Sequence, residues 1–449
     1  MRTVQTTQVL GNSKFNKFHL LIFLWCFFAI GFDGFDVAIY GIGLPLMMED
    51  FNISRVEAGA ISSYTLISAM IGTFLLGSIS DLIGRKKAIA ICLTLFSLFT
   101  FLAGFAQEPT LFMIMRVIAA LGLGGIMPIL VAIMGEYSPV KKRALTIATM
   151  YCGYSIGAII ASLIGMYLME LTSWRLLYWI SIIPLITLPW FLKQFPESVS
   201  YYLKKKKGDK IAEILNKVDP CGNYQAADNY EYETFNESTK EFPIKKVFSN
   251  KRTSSTLAFW IAVTCSMLVI SGLTTWLPQI MVESGHGLTS SLSFNLMLAV
   301  GQISGSIFGG MLVSRLGHRS VLILMFFIGS LCFVMLSITT NSLLLYLIIT
   351  LTGACTVGTQ NLVNPYISEF YPREIRTTGL SIAVGVGRIG GIMAPVAIAL
   401  LLTTNLDPQH AFMAFAIPSL IGAIAFVTVR EKHASFDPVN VAVGKQKTA

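Results

Sequence analysis

Twelve apolar stretches divide the chain, near 19–48, 57–79, 88–106, 110–134, 144–169, 175–195, 255–283, 290–314, 320–339, 343–368, 378–402 and 410–430. Each suits a helix crossing hydrocarbon, which takes about 20 apolar residues. The polar segments between them are short, with one exception at 196–254, whose centre from Asp228 to Glu241 is acidic. The polar N-terminus ends near Phe18, and the apolar run after it is too long for the core of a signal peptide. It is expected to remain as the first span. The pattern predicts an all-α integral membrane protein with twelve transmembrane helices.

The twelve fall into two sets of six. Gly77, Asp81, Gly84, Arg85 and Lys86, between spans two and three, recur 233 positions later as Gly310, Ser314, Gly317, His318 and Arg319. The same offset carries Glu136, Pro139 and Arg143 onto Glu369, Pro372 and Arg376, Leu44-Pro45 onto Leu277-Pro278, and Gly72 onto Gly305. One register relating four separate places implies a duplicated unit. With six spans per half, the halves enter the membrane in the same sense. The expected organisation is a six-helix half at 1–195, a linker at 196–254 and a second six-helix half at 255–449.

Composition agrees. Only 13% of residues are charged and the mean hydropathy is +0.67, against about 25% charged in soluble domains. The formal charge of +9 raises the possibility of a nucleic-acid partner, but its placement reports topology instead. Arg85, Lys86, Lys87, Lys141, Lys142, Arg143, Arg315, Arg319, Arg373, Arg376 and the Lys204–Lys207 run share one face with both termini, whereas Arg55 and Arg175 are the basic residues of the other. By the positive-inside rule the termini and the linker are cytoplasmic. The lysine run reads as a lipid-facing basic segment. The seven cysteines are scattered singly, so neither a disulfide framework nor a metal site is expected, and no cofactor motif occurs. The GxGxxG look of Gly385–Gly390 follows no strand and is not a nucleotide site. The glycines of spans four, five and eleven read as close helix-packing faces.

Residues that break the repeat are the better candidates for binding and proton chemistry. Asp33 and Asp36 map onto Ser266 and Val269, Arg116 onto Ile349, and Arg388 onto Ser155. At 1.5 Å per residue the two acids and Arg116 lie at roughly one level in the outer third of the membrane, and Arg388 near its midplane. Asp33 and Asp36, at i and i+3, share a helix face. Two carboxylates that close disfavour joint ionisation, which suits a group that binds and releases a proton. Snorkelling of the acids to the interface, and a fixed ion pair for Arg116, are the structural alternatives. Arg388 is expected to bind an anion near the midplane, against a packing or capping role. Tyr64, Tyr154, Trp276, Gln302 and Asn361 are expected to line a polar cavity, each weighed against plain helix packing. Asp81, Arg85, Glu136, Arg143, Glu369 and Arg376 share the cytoplasmic face, where charge pairs are expected to gate the two halves together.

Two resemblances follow. The stretch Gly77…Asp81…Gly84-Arg85-Lys86 resembles the loop signature of the major facilitator superfamily, and Pro196-Glu197-Ser198 resembles an element found after helix six in its sugar and organic-ion branches. Within it, Phe32-Asp33-Gly34-Phe35-Asp36, Leu123-Gly124-Gly125-Ile126-Met127-Pro128, Cys152-Gly153-Tyr154-Ser155, Trp276-Leu277-Pro278 and Gly387-Arg388 are similar to aromatic acid:proton symporters of the benzoate type. The resemblance implies proton-driven uptake of benzoate or a hydroxybenzoate across an inner membrane. It also implies roles for Asp33, Asp36, Gly77, Asp81, Arg116, Glu136, Arg376 and Arg388. Arg388 then supplies a two-pronged partner for the carboxylate. Ser314, standing where the second loop signature expects an acid, departs from the pattern. The partners expected are the acid, protons and membrane lipid, with the protein acting as a monomer. Nicotinate fits the same chemistry. A drug or organic-cation antiporter would want a midplane acid, and a ligand sensor would leave the acidic pair unexplained. No nucleophile or cofactor motif suggests an enzyme.

Overall fold

The computed structural model describes residues 3–169, 172–220, 222–231, 247–249, 252–372, 375–404, 407–431 and 434. Arg373, Cys221 and the acidic stretch of the linker from 232 to 241 lie outside the described residues. Among the described residues, twelve helices are long and apolar enough to cross a membrane. The first six are Lys17–Phe51, Arg55–Ile83, Arg85–Ala103, Pro109–Tyr137, Leu145–Met169 and Arg175–Gln194. The second six are Thr253–Glu283, Leu288–Leu316, His318–Ile338, Ser342–Phe370, Thr378–Leu402 and Pro408–Thr428. We call these spans one to twelve. Helices are the natural solution here, because each satisfies its backbone polar groups within itself where no water is present. Large apolar side chains such as Phe74, Leu347 and Ile424 stay exposed, as a lipid-facing surface requires.

The repeat survives in the backbone. Pro45 and Pro278 both sit inside their helices. Gly84 and Gly317 both take positive φ, +99° and +81°, a conformation that costs other residues about 1–2 kcal/mol. Spans five and ten each include a π-helical turn, Gly165–Met169 and Ala354–Gly358, but these are not related by the repeat.

Two compact units emerge, and they cut across the spans. The first comprises Met1–Ile39, Tyr64–Ala161 and Thr172–Glu237. The second comprises Tyr40–Ser63, Ser162–Leu171 and Ser238–Ala449. The second unit therefore takes in the far ends of spans one, two and five, the ends remote from the N-terminus. There Arg55 at the start of span two donates to Glu283 at 3.0 Å and to the Leu402 carbonyl at 2.5 Å. Ser63 donates to the Ile392 carbonyl at 2.6 Å, and Asn295 to the Ser162 hydroxyl at 3.0 Å. A side chain at Gly41 would collide with the Thr274 carbonyl, so these helices meet backbone to backbone.

The first unit carries a small folded appendage that the pattern of spans does not foretell. Strand Thr3–Gln5 pairs in parallel with strand Asn229–Glu231 of the linker. Helix Thr6–Asn12 follows, and its Gly11 carbonyl accepts from the Val140 backbone at 2.9 Å. Linker helix Gly208–Val218 buries Ile211 and Leu215 in the same apolar cluster as Val4 and Leu10. The beginning of the linker is thus folded onto the first unit.

Candidate functional site

Span one passes span five at glycine contacts. A side chain at Gly34 would run into the Tyr154 carbonyl, so only glycine permits this approach. The approach presents the acids on either side of Gly34 to the interior of the first unit. Asp36 is 0% exposed and Arg116 only 2%. Arg116 Nη1 donates to both Asp36 oxygens, at 2.7 and 2.9 Å. The Thr100 hydroxyl of span three donates to Asp36 Oδ1 at 2.8 Å. The Tyr178 ring of span six lies 5.6 Å from the guanidinium carbon. Such a pair is held by its own charges: removing one partner of a buried ion pair costs about 3–5 kcal/mol. Asp33, one turn away, is 8% exposed. The structure therefore brings Asp36 and Arg116 together directly.

A second cluster closes the same unit where span three begins. Arg85 donates to Glu136 at 2.5 Å, and Glu136 also accepts from the Ser198 hydroxyl at 2.7 Å and the Ser200 backbone at 2.9 Å. Glu197 accepts from the backbone of Lys86 at 3.0 Å and of Ser198 at 2.9 Å, while Tyr137 donates to the Glu197 carbonyl at 2.6 Å. A side chain at Gly84 would strike the Glu197 carboxylate. Burial first, and then the Glu197 charge, push the Tyr202 phenol above its ordinary range. Sequence reasoning noticed Glu197 and Ser198 only as part of a family element. The available signal was a carboxylate at the foot of span six in a chain poor in acids.

The counterpart in the second unit is looser. His318 stands 3.7 Å from Glu369, stacks on Tyr366 with ring centroids 5.7 Å apart, and Tyr366 donates to Glu431 at 3.0 Å. Arg319 caps span twelve through the Phe426 and Val427 carbonyls, at 3.2 and 2.7 Å. The expected gating residues thus find partners inside their own units: Arg85 with Glu136, and Glu369 with His318. Arg143 donates to the Ser138 carbonyl at 3.4 Å. Arg376 keeps Nε buried without a hydrogen bond among the described residues. Asp81 is exposed and forms no ion pair among them, and Gly77 has open space beside it.

The residues expected to line a cavity divide by environment. Arg388 and Tyr154 are half-buried, Gln302 is buried, and Tyr64 is 51% exposed. Asn361 is exposed and donates to the Ser306 hydroxyl at 2.9 Å. Trp276 needs correction as a wall for a solute. It is 0% exposed and its indole N–H is committed to the Pro395 carbonyl at 2.9 Å. Its bulk is better spent packing span seven on span eleven. Sequence reasoning also gave Arg55, Glu283 and Thr100 no role. Their partners lie on other spans and leave no local pattern.

Twelve spans in two repeated sets, with an ion pair sealed inside one of them, are the architecture of a membrane transporter. The profile of the Major Facilitator Superfamily matches residues 26–309 and 295–447, and the chain belongs to that superfamily; it is a transporter and not an enzyme. Its relatives are aromatic acid transporters. It is 34% identical to the benzoate transport protein of Acinetobacter baylyi over 96% of this chain and 94% of that one. It is 28% identical to the gallate transporter of Pseudomonas putida over 93% of each. The inward open structure of the xylose transporter XylE from E. coli shares the fold, with a TM-score of 0.74 at 15% identity, over 92% of this chain and 96% of that one.

Proposed function

We propose that this transporter takes up a small aromatic carboxylate, benzoate or a hydroxybenzoate, together with protons, across an inner membrane by alternating access. The observation that carries the proton coupling is the buried Asp36–Arg116 pair with Asp33 one turn away. Ionisable residues enclosed in spans are functional by default, and this cluster is confined to one half of a duplicated chain. The names of the relatives supply the substrate class. Elementary energetics join the two. Moving an anion inward against an inside-negative potential costs about 2.3 kcal/mol per 100 mV. One proton cancels that charge, and each pH unit of gradient adds about 1.4 kcal/mol of drive.

In this reading both termini are cytoplasmic, as the basic loops require. Arg388 receives the carboxylate, the far ends of spans one, two and five form the outer gate, and Arg55–Glu283 is its latch. The test is uptake of labelled benzoate, 4-hydroxybenzoate and nicotinate into cells expressing this chain, with and without a protonophore. Accumulation of the benzoates that collapses with the gradient supports the proposal. Accumulation of nicotinate alone would move the substrate assignment, and accumulation indifferent to the protonophore would end the coupling assignment.

A further inference from the structure

Thr100 belongs to no motif, yet it is 0% exposed in span three and touches the buried Asp36–Arg116 ion pair. A threonine inside a transmembrane helix ordinarily returns its hydroxyl to the carbonyl four residues back. Thr94, Thr350 and Thr352 do so here, at 2.8, 2.7 and 2.8 Å. Thr100 instead spends its proton across the helix interface, on Asp36 Oδ1 at 2.8 Å, and its oxygen lies 3.4 Å from Arg116 Nη1.

We propose that Thr100 is a positioning residue for proton coupling: with Arg116 it fixes the carboxylate of Asp36, so that the most deeply buried acid of the pair meets its proton in one defined geometry. The inference rests on the proton-coupled reading above. Three donor contacts converge on Asp36, two from Arg116 and one from Thr100. A carboxylate accepts all three, whereas a neutral carboxyl must itself donate and a guanidinium offers no acceptor. The Thr100 hydroxyl can donate or accept, so it is the one of these contacts able to persist in both protonation states. The groups facing Asp36 are Thr100 of span three, Arg116 of span four, Tyr154 of span five and Tyr178 of span six, with Asp33 on its own helix.

The experiment reconstitutes wild type, Thr100→Val and Thr100→Ser in liposomes. It measures pH-gradient-driven accumulation of labelled benzoate across external pH, beside counterflow at equal pH. Valine keeps the shape and removes the donor. With it, the half-maximal pH should move up by about one unit and accumulation should fall about tenfold further than counterflow, the loss of one hydrogen bond to a charged group. Serine should restore both. An unchanged pH profile in Thr100→Val would overturn the proposal, as would equal losses of accumulation and counterflow that serine does not repair. If Thr100→Val fails to reach the membrane, Thr100→Ala is read by the same criteria. A wild type that ignores the pH gradient would instead overturn the coupling reading, whatever the variants do.

Discussion

Gly84-Arg85 and Gly317-His318 occupy equivalent places in the two halves and have diverged in one direction. Both glycines keep positive φ, so the turn into spans three and nine is retained. Around the first, Arg85 and Glu136 meet at 2.5 Å with two serines of the linker. Around the second, His318 and Glu369 stand at 3.7 Å with side chains 25% and 45% exposed. The membrane interior repeats the contrast: Asp36 and Arg116 of the first half correspond to Val269 and Ile349 of the second. Duplication has preserved what the backbone needs, while the Arg85–Glu136 and Asp36–Arg116 pairs belong to the N-terminal half. In our reading that half holds the proton machinery, and the C-terminal half supplies the anion partner Arg388.

The sharpest way to probe this difference is to give the first half the residues of the second. Arg116→Ile strands the Asp36 carboxylate and should cost about 3–5 kcal/mol of stability, seen as a large loss of thermal stability in detergent. The double variant Asp36→Val/Arg116→Ile removes both charges and should recover most of that stability, because apolar replacement of a buried pair is often near neutral. It should not recover accumulation. A double variant that concentrates substrate would show the pair to be structural.

Smaller effects are expected at the paired glycines. Gly84→Ala meets both the positive φ and the Glu197 carboxylate, whereas Gly317→Ala has open space and meets only the φ. The second should lose about 1–2 kcal/mol and the first clearly more, read from unfolding midpoints. Equal losses would mean that Glu197 yields freely and does not brace the turn.

At the pairs themselves, Glu136→Gln should slow transport markedly, since it weakens contacts to Arg85, Ser198 and Ser200 together. Glu369→Gln should change initial rates little, as exposed pairs contribute about 0–1 kcal/mol. The reverse ranking would refute the asymmetry. At the far end, charge reversal tests the latch. Arg55→Glu should slow uptake and Arg55→Glu/Glu283→Arg should restore part of it, and uptake undiminished in Arg55→Glu would remove these residues from the gate.

Much of this was legible in the sequence because lipid leaves a coarse signature. Span one was expected over 19–48 and runs Lys17–Phe51, the difference lying at ends where polar residues continue the helix beyond hydrocarbon. The shared depth of Asp36 and Arg116 followed from rise per residue alone. Three things were not legible. The pairing of Thr3–Gln5 with Asn229–Glu231 joins short strands far apart in the chain, and no local period announces it. The π-helical turns depend on packing against neighbouring spans. Thr100 is one of many hydroxyls in the spans, and only its partner distinguishes it. Trp276 misled for the opposite reason: an aromatic with a polar handle suits a ligand wall, and here the handle serves the Pro395 carbonyl.

The central claim, that the acidic pair of the N-terminal half couples transport to protons, is tested most directly by one comparison in proteoliposomes. Labelled benzoate is followed under an imposed inward proton gradient and in gradient-free counterflow, for wild type and Asp33→Asn, with protein-free liposomes as the baseline. Wild type should concentrate the acid, while Asp33→Asn should exchange it in counterflow without concentrating it. An Asp33→Asn protein that concentrates benzoate as wild type does would contradict the account.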